Sequence, residues 1–287
     1  MKKLIIVFIT VVLFSTAVYA ESSVWKLDAD NGSLYLAGSC HVLRKSDYPL
    51  PEEFESAYDD ADQVIFETDI EALMIPDIQL LLISKGMYTE GDTLEKKLSK
   101  KAYDSLVAFC KDRAMPIALF QNFKPWMVTM TLLVLELEKN GISPADGLDM
   151  YFSNKAKKDG KNTGGLEDIH KHIELVASLE EDMDESVIES FLQELEEIQV
   201  IMHGLIKSWR VGDEAGIDKY LSENMRGEYP KLYNRLITDR NRDWIPRLET
   251  LIGSGKRTLV IVGVGHLVGK NSVINLLKSK GYKIKKM

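Results

Sequence analysis

The stretch Arg257–Gly269, with the sequence RTLVIVGVGHLVG, decides the fold because it joins a buried strand to a sharp turn. Its residues Thr258–Gly263 form an apolar run rich in β-branched side chains and stopped by glycine, which predicts a strand with both faces covered. Apolar positions within residues 267–281 recur at helical spacing and predict a helix. His266 is therefore expected where a buried strand ends and a helix begins, the edge at which open α/β sheets bind ligands.

The same arrangement occurs near the other end of the chain. Leu34–His41, LYLAGSCH, is again an apolar run closed by Gly-x-x-His. The glycines of both motifs let the backbone turn beside the histidine without a Cβ in the way. Two distant strands thus each deliver a histidine to their carboxyl ends. Because His266 follows a glycine turn, its ring is expected to project into a cleft, so its truncation should cost within about 0.5 kcal/mol of stability.

A third predicted strand, Gln63–Thr68, carries a carboxylate at its end. Glu67 considered alone is an exposed charge at a strand end, but two strand-end histidines make it the third member of a His₂Glu set. Several hydrolytic zinc enzymes use these ligands, and non-haem iron uses them too, so the ligand types leave the metal open. A bound divalent ion would acidify a coordinated water and polarise a carbonyl. The predicted metal ligands are His41, Glu67 and His266.

The rest of the pattern predicts an α/β fold, with a mixed central sheet built from the amino- and carboxyl-terminal parts. A hairpin is predicted from two strands, Val24–Ala29 and Ser33–Gly38, joined through Asp30-Asn31-Gly32, because Asn-Gly suits a tight turn. A large, mostly helical insertion, from Glu71 to about Gly255, is expected to cover one edge of the sheet. It includes a short predicted strand at 161–166. Further helices are predicted at residues 52–60, 94–114, 124–137, 146–158, 187–205 and 239–252.

The amino terminus predicts export. Met1–Ala20 has a basic start, an apolar middle and small residues at the end, which is the pattern of a secretory signal peptide. A retained membrane anchor is the alternative, although the apolar part is shorter than the roughly 20 residues that a spanning helix needs. We therefore expect a mature single domain of residues 21–287, periplasmic or secreted, with no stable membrane anchor.

Charge and cysteine content limit the function classes. Signal removal takes away two of the 36 basic residues and none of the 44 acidic ones, so the net charge changes from −8 to −10. An acidic chain without a long basic run argues against binding nucleic acid or anionic membrane surfaces. Cys40 and Cys110 are too few for a disulfide scaffold. Both a bridge between them and a free thiol beside His41 remain open.

Other polar residues have simpler interpretations. His170 and His172 lie two apart on a predicted helix, so they point in different directions and are interpreted as surface residues. His203 is interpreted as a packing or capping residue. Glu167 ends a short strand and either lines the cleft or caps the following helix. Arg240 either pairs with a surface acid or serves the site.

The chain resembles the TraB/GumN family, whose animal members include the TIKI proteins. The resemblance spans the mature chain and fits a bacterial GumN-type member. It rests on these motifs: Gly38-Ser39-Cys40-His41, Glu67, Lys124-Pro125-Trp126, Gly147-Leu148-Asp149, Gly165-Leu166-Glu167, Trp209-Arg210-Val211-Gly212-Asp213, Arg240-Asn241, Val262-Gly263-Val264-Gly265-His266-Leu267 and Gly281-Tyr282.

The resemblance implies a site and an activity. TIKI proteins are described as metal-dependent proteases that use the two Gly-x-x-His histidines and the glutamate with manganese or cobalt. By resemblance these roles fall on His41, His266 and Glu67, while Arg240 and Asn241 would be further polar groups lining the cleft. Zinc and iron stay open because the donor types suit them as well.

Two functions follow from these observations. The first is an exported metal-dependent hydrolase, peptidase-like, in which Glu67 is a ligand or general base and Arg240 or Asn241 stabilises the developing oxyanion of a peptide or protein substrate. The second is a non-catalytic binding protein of the same fold that captures a peptide, a metal or haem. The three potential ligands occur together with their glycines, and this favours the hydrolase.

Overall fold

The computed structural model describes residues 22–29, 32–89 and 91–287. The predicted signal peptide, Met1–Ala20, lies outside the described residues, as do Asp30 and Asn31 of the predicted hairpin turn.

A six-stranded mixed sheet forms the centre of the molecule. The order of its strands is β4-β3-β5-β2-β1-β6. Strands β4, β3, β5 and β2 are parallel to one another, whereas β1 pairs antiparallel with β2 and β6 pairs antiparallel with β1. This confirms the predicted α/β class. The strands are β1 (Val24–Ala29), β2 (Gly32–Ser39), β3 (Gln63–Phe66), β4 (Asn162–Gly165), β5 (Arg257–Gly263) and β6 (Ile284–Lys286).

Strand β5 lies at the centre of the parallel part, between β3 and β2. Six of its seven residues are buried, as its continuous apolar run predicts for a strand covered on both faces. Its pairing with β2 places Ser39 opposite Gly263 at the carboxyl ends. The two Gly-x-x-His motifs therefore leave the sheet side by side, which follows from parallel pairing and not from sequence proximity.

Strand β6 was not predicted. It is three residues long, contains two lysines and has no alternation long enough to be recognised. It exists because its residues pair with β1, where Leu27 lies opposite Ile284.

Fifteen α-helices surround the sheet in the described residues. They are α1 (Glu52–Asp60), α2 (Ile70–Leu73), α3 (Pro76–Lys85), α4 (Leu94–Lys97), α5 (Lys100–Asp112), α6 (Pro125–Lys139), α7 (Leu148–Asp159), α8 (Ile169–Ser178), α9 (Glu185–Glu196), α10 (Ile198–Arg210), α11 (Glu214–Leu221), α12 (Glu223–Glu228), α13 (Pro230–Tyr233), α14 (Asp239–Ile252) and α15 (Val273–Ser279).

The helical insertion predicted between residues 71 and 255 is present, and it contributes β4 to the sheet. The described residues form two apolar cores. The larger packs around the sheet, and the smaller lies within the insertion among α4, α5, α6 and α9. Leu106 and Phe109 of the 94–114 segment belong to the smaller core.

Three predicted helices are interrupted. The 94–114 segment divides into α4 and α5, because Leu98 is extended and Ser99 begins a new helix by accepting a hydrogen bond from the Ala102 amide. The 187–205 segment divides at Glu197, where the backbone leaves helical geometry. After His266, Gly269 has a φ of +81°, so the predicted 267–281 helix begins only at Val273. Apolar spacing continues across each break and therefore does not reveal it.

No helix within the described part of the chain is both long enough and apolar enough to cross a membrane.

Candidate functional site

Four parallel strands end at one edge of the sheet, and each is followed by a polar side chain. Glu67 follows β3, Glu167 follows β4, His41 follows β2 and His266 follows β5. The ladder between β3 and β4 continues past the strands, because the Glu167 amide donates to the Glu67 carbonyl over 2.9 Å. This is the edge at which parallel sheets bind ligands.

The carboxylate of Glu67 lies between the two histidines. Its Oε1 atom is 3.7 Å from Nε2 of His41 and also 3.7 Å from Nε2 of His266. The Gly263 amide donates to the same oxygen over 2.7 Å, which fixes the carboxylate at the end of β5. The structure thus brings together the three side chains predicted as metal ligands.

Gly263 keeps the space between these groups open. A Cβ at this position would lie 2.7 Å from Nε2 of His41 and 3.2 Å from Oε1 of Glu67. The first distance is shorter than real contacts to a Cβ, so any other residue would push into the gap between the imidazole and the carboxylate. The glycine predicted to permit the turn therefore also shapes the site.

His41 is oriented by a carboxylate. Its Nδ1 is 2.7 Å from Oδ2 of Asp149, and the Ser39 hydroxyl donates to the same oxygen over 2.5 Å. The charge of Asp149 raises the pKa of His41 to about 9. The side chain is nevertheless 55% exposed, so the ring is accessible to solvent while Asp149 holds its Nδ1 edge.

Asp149 is a site residue to which the sequence assigned no role. It lies in the first turn of α7, and the Leu148 amide that opens this helix donates to the Cys40 carbonyl over 3.1 Å. Helix α7 is therefore attached to the loop that carries His41. The Gly147-Leu148-Asp149 motif was the available signal, but only the fold shows what its carboxylate contacts.

A second attachment holds the same loop. The indole nitrogen of Trp209 donates to the Gly38 carbonyl over 2.7 Å. Trp209 is completely buried and belongs to the core around the sheet. It also fixes the glycine turn from which His41 departs.

His266 corrects one expectation. Its side chain is only 4% exposed, so the ring is packed inside the protein instead of projecting freely into a cleft. Residues Val264–His266 form a 3-10 turn that directs the ring under α14, where it lies against Trp244 with ring centroids 4.5 Å apart. Burial lowers the pKa of His266 to about 4, so the ring is neutral near pH 7.

Asn241 sets the tautomer of His266. Its Oδ1 is 2.6 Å from Nδ1 of the ring, and its Nδ2 donates to the Asn271 carbonyl over 2.9 Å. The amide nitrogen is already used as a donor, so the amide oxygen faces Nδ1 and accepts a hydrogen bond from the Nδ1–H group. Asn241 is completely buried, lies behind His266 and positions the ring, whereas the family resemblance implied a polar group lining the cleft.

Arg240 lies in the centre of the site. Its Nη2 donates to Oε2 of Glu67 over 2.6 Å, and its Nη1 lies 3.2 Å from Nε2 of His266. Burial opposes ionisation of Glu67, but Arg240, His266, His41 and the Gly263 amide outweigh it and hold the Glu67 pKa below its usual range. Arg240 therefore pairs with two largely buried carboxylates at the sheet edge, Glu67 and Glu167, and not with a surface acid.

Glu167 completes the charge pattern. It accepts hydrogen bonds from Nη2 of Arg240 over 2.7 Å and from the Trp244 indole over 3.0 Å. It also pairs with Nδ1 of His172 over 2.7 Å. The following helix is capped by Asp168 instead. Glu167 therefore lines the site, and interpreting His172 as a plain surface residue was wrong.

The donor set fits a divalent ion in part. Nδ1 of each histidine has an acceptor beside it, an arrangement that leaves Nε2 free to bind a metal once that atom carries no proton. The gap beside Gly263 supplies space. Against this, no three His, Cys, Asp or Glu side chains among residues 22–29, 32–89 and 91–287 form a ready metal-holding group. Arg240 contacts the same Glu67 and His266 side chains.

The two cysteines are both free and buried. Cys40 belongs to the core around the sheet and Cys110 to the core of the insertion, so they do not face each other. Burial raises the pKa of the Cys40 thiol to about 12, and the thiol donates to the Val42 carbonyl over 3.2 Å. Of the two alternatives left open by the sequence, the structure has the free thiol, in an unreactive protonated form.

Comparison with known proteins extends over almost the whole described chain. A family model, described as the TraB/PrgY/gumN family, matches residues 23–286. The protein YbaP of Escherichia coli strain K12, described as uncharacterized, is 22% identical over 248 residues, which cover 86% of this chain and 89% of YbaP. YbaP of Shigella flexneri matches with the same identity and coverage. No solved structure matches significantly.

Proposed function

We propose that this chain, which belongs to the TraB/PrgY/gumN family, is an exported metal-dependent hydrolase whose substrate is a peptide or protein. The observation that carries the proposal is the position of Glu67 Oε1, 3.7 Å from Nε2 of both His41 and His266 at the carboxyl edge of the sheet. Export follows from the pattern of residues 1–20, which predicts a periplasmic or secreted protein.

His41, Glu67 and His266 would hold the ion. When bound, a divalent cation would supply Lewis-acid polarisation of a substrate carbonyl and a more acidic water. By family resemblance the ion is manganese or cobalt, and the donor types suit zinc or iron too. Because the pKa of His41 is raised, its Nε2 must lose a proton before it can bind a cation.

The chain's own residues supply orientation. Asn241 and Asp149 fix Nδ1 of the two imidazoles, and the Gly263 amide fixes Glu67. His266 is closed off by Trp244, so a substrate reaches the site from the solvent-exposed side of His41. Glu67 stays ionised in this setting because its pKa is held low, which suits a ligand for a cation and makes it a weak general base.

Arg240 is a weaker candidate for the oxyanion donor than the sequence suggested. Its Nη2 donates to two carboxylates and its Nη1 to the Leu236 carbonyl, with Nε2 of His266 also adjacent. Each of these donors already has an acceptor, so stabilising an oxyanion requires one of these contacts to open.

The alternative is a binding protein that captures a peptide, a metal or haem without catalysis. Among these ligands the contact between Arg240 and His266 favours a peptide, because it engages an atom that any bound ion would need. The same experiment separates the two functions.

Purified protein is analysed for metal content and then incubated with a peptide library, with and without a chelator. We expect stoichiometric cation binding and cleavage that the chelator abolishes and added metal restores. Glu67→Gln should lose both, whereas Glu55→Gln, which alters a carboxylate that pairs with Lys155 away from the site, should retain both. Bound metal without cleavage of any peptide would support the binding protein, and absence of bound metal would refute the metal-dependent hydrolase.

A further inference from the structure

Arg240 makes contact with two of the three side chains that would bind the ion. Its Nη2 is 2.6 Å from Oε2 of Glu67, and its Nη1 is 3.2 Å from Nε2 of His266. Because Nδ1 of His266 carries the proton toward Asn241, Nε2 presents its lone pair to the guanidinium. That lone pair is the one a metal ion would use, so guanidinium and ion require the same atom.

A second carboxylate holds Arg240 independently of these contacts. Glu167 accepts from Nη2 over 2.7 Å and from Nε over 3.2 Å. It is itself fixed by the Trp244 indole and by His172. The guanidinium also lies 4.7 Å from the Trp244 ring centre, a favourable place for a cation. Arg240 can therefore leave Glu67 and His266 without losing its remaining partners.

We propose that Arg240 is a built-in cation that competes with a divalent metal ion for Glu67 and His266, and that Glu167 keeps the guanidinium paired when the ion binds. This inference rests on the proposed function and concerns what determines the metal affinity of the same site. Arg240 is thus an affinity-determining residue, and it acts through the ligands that it contacts.

The physical reason is the burial of Glu67. A carboxylate that is only 12% exposed is costly without a positive partner, and Arg240 supplies that partner when no ion is bound. Binding of the ion to Nε2 of His266 must then include separation of Arg240 from that nitrogen, while the ion also replaces Arg240 as the positive charge nearest Oε1 of Glu67. The cost of that separation lowers the apparent affinity of the wild-type protein for the ion.

The first test compares wild type with Arg240→Met by calorimetric titration with Mn²⁺, Co²⁺, Zn²⁺ and Fe²⁺ after chelator treatment. We expect the variant to bind at least about tenfold more tightly, equivalent to about 1.4 kcal/mol. Its metal-free melting temperature should fall, because Glu67 and Glu167 lose their partner, and added metal should restore it. Arg235→Met is the matched control, because Arg235 pairs with Glu181 outside the site, and its affinity should equal that of wild type.

A second variant separates competition from the simple loss of a positive charge. Arg240→Met combined with Glu167→Gln removes one charge of each sign, so the net charge stays that of wild type. Competition predicts that this double variant still binds the ion at least about tenfold more tightly. If its affinity equals that of wild type while the single variant binds tightly, the effect is one of net charge and the inference is overturned.

The outcomes also distinguish this inference from the proposed function. Metal binding by wild type with equal or weaker binding by Arg240→Met overturns the inference and leaves the hydrolase proposal in place. Failure of every form to bind Mn²⁺, Co²⁺, Zn²⁺ or Fe²⁺ overturns both. Tighter binding by both Arg240 variants, with unchanged binding by Arg235→Met, supports the inference.

Discussion

The two Gly-x-x-His motifs have the same sequence pattern and end in different environments. The side chain of His41 is 55% exposed, whereas that of His266 is 4% exposed. A carboxylate raises the pKa of the first ring to about 9, and burial lowers that of the second to about 4. The site therefore pairs a basic, accessible imidazole with a neutral, enclosed one. A shared motif predicts where a side chain leaves the sheet, but its neighbours decide its protonation.

The largest expected effect is the loss of metal binding and cleavage when either histidine is replaced. If both are ligands, His41→Ala and His266→Ala should each lower cation affinity and chelator-sensitive cleavage by more than about 100-fold, since loss of a direct ligand exceeds the 10- to 100-fold effect of losing an outer partner. Calorimetric metal titration and peptide cleavage measure this. His203→Ala, which changes an exposed histidine of α10, is the control. A variant at position 41 or 266 that keeps wild-type affinity would show that only one histidine belongs to a metal site.

The second prediction separates the two by stability. His266→Ala should lower the free energy of unfolding of the metal-free protein by about 2 kcal/mol, because it leaves a cavity and an unpaired buried amide oxygen on Asn241. His41→Ala should cost less, about 1 kcal/mol, because the Ser39 hydroxyl still donates to Asp149. Urea denaturation in chelator measures both. Equal losses for the two variants would mean that the difference in burial between His41 and His266 does not affect stability.

The third prediction uses the basicity of His41. Its Nε2 must lose a proton to bind a cation, and its pKa is raised to about 9. Apparent metal affinity should therefore rise with pH by up to about tenfold per unit from the ordinary histidine pKa toward 9. Asp149→Asn removes the charge that raises the pKa, so the rise should level off at lower pH.

Asp159→Asn is the control for this series, because Asp159 lies at the other end of α7 and accepts from the Tyr58 hydroxyl. Metal titrations across pH compare the three proteins. Identical slopes for wild type and Asp149→Asn would mean that Asp149 does not control protonation of the ligand.

The smallest expected effect is on the stability of the metal-free protein, to which His266 and His41 contribute with opposite pH dependences. The folded pKa of His266 lies below its unfolded value, so its contribution falls as pH decreases from about 6.5 to about 4. The folded pKa of His41 lies above its unfolded value, so its contribution is complete below about 6.5 and is lost as pH rises toward 9.

Urea unfolding across pH, as the difference between wild type and each histidine-to-glutamine variant, tests these signs. His266→Gln should remove the loss of unfolding free energy, on the order of 1 kcal/mol, that wild type shows as pH falls. His41→Gln should remove the loss that wild type shows as pH rises. The same sign for both would contradict the environments described above.

The sequence predicted the positions from which the site is built. Apolar runs ended by glycine identified β2 and β5, and the run from Gln63 identified β3, so His41, Glu67 and His266 were assigned to strand ends from local pattern alone. Each of these signals lies within a few neighbouring residues, so it can be recognised in a single sequence. Parallel strands bring their carboxyl ends to one edge, so convergence at that edge followed from the fold class.

Tertiary structure decided everything that depends on distant partners. Asp149 reaches His41 across 108 positions and Arg240 reaches Glu67 across 173, and no local pattern encodes such pairs. Burial of His266 arises because α14 packs over the end of β5, which cannot be read from the turn itself. Strand ends are determined by neighbouring residues, whereas protonation, orientation and charge balance are determined by whatever the completed fold places around them.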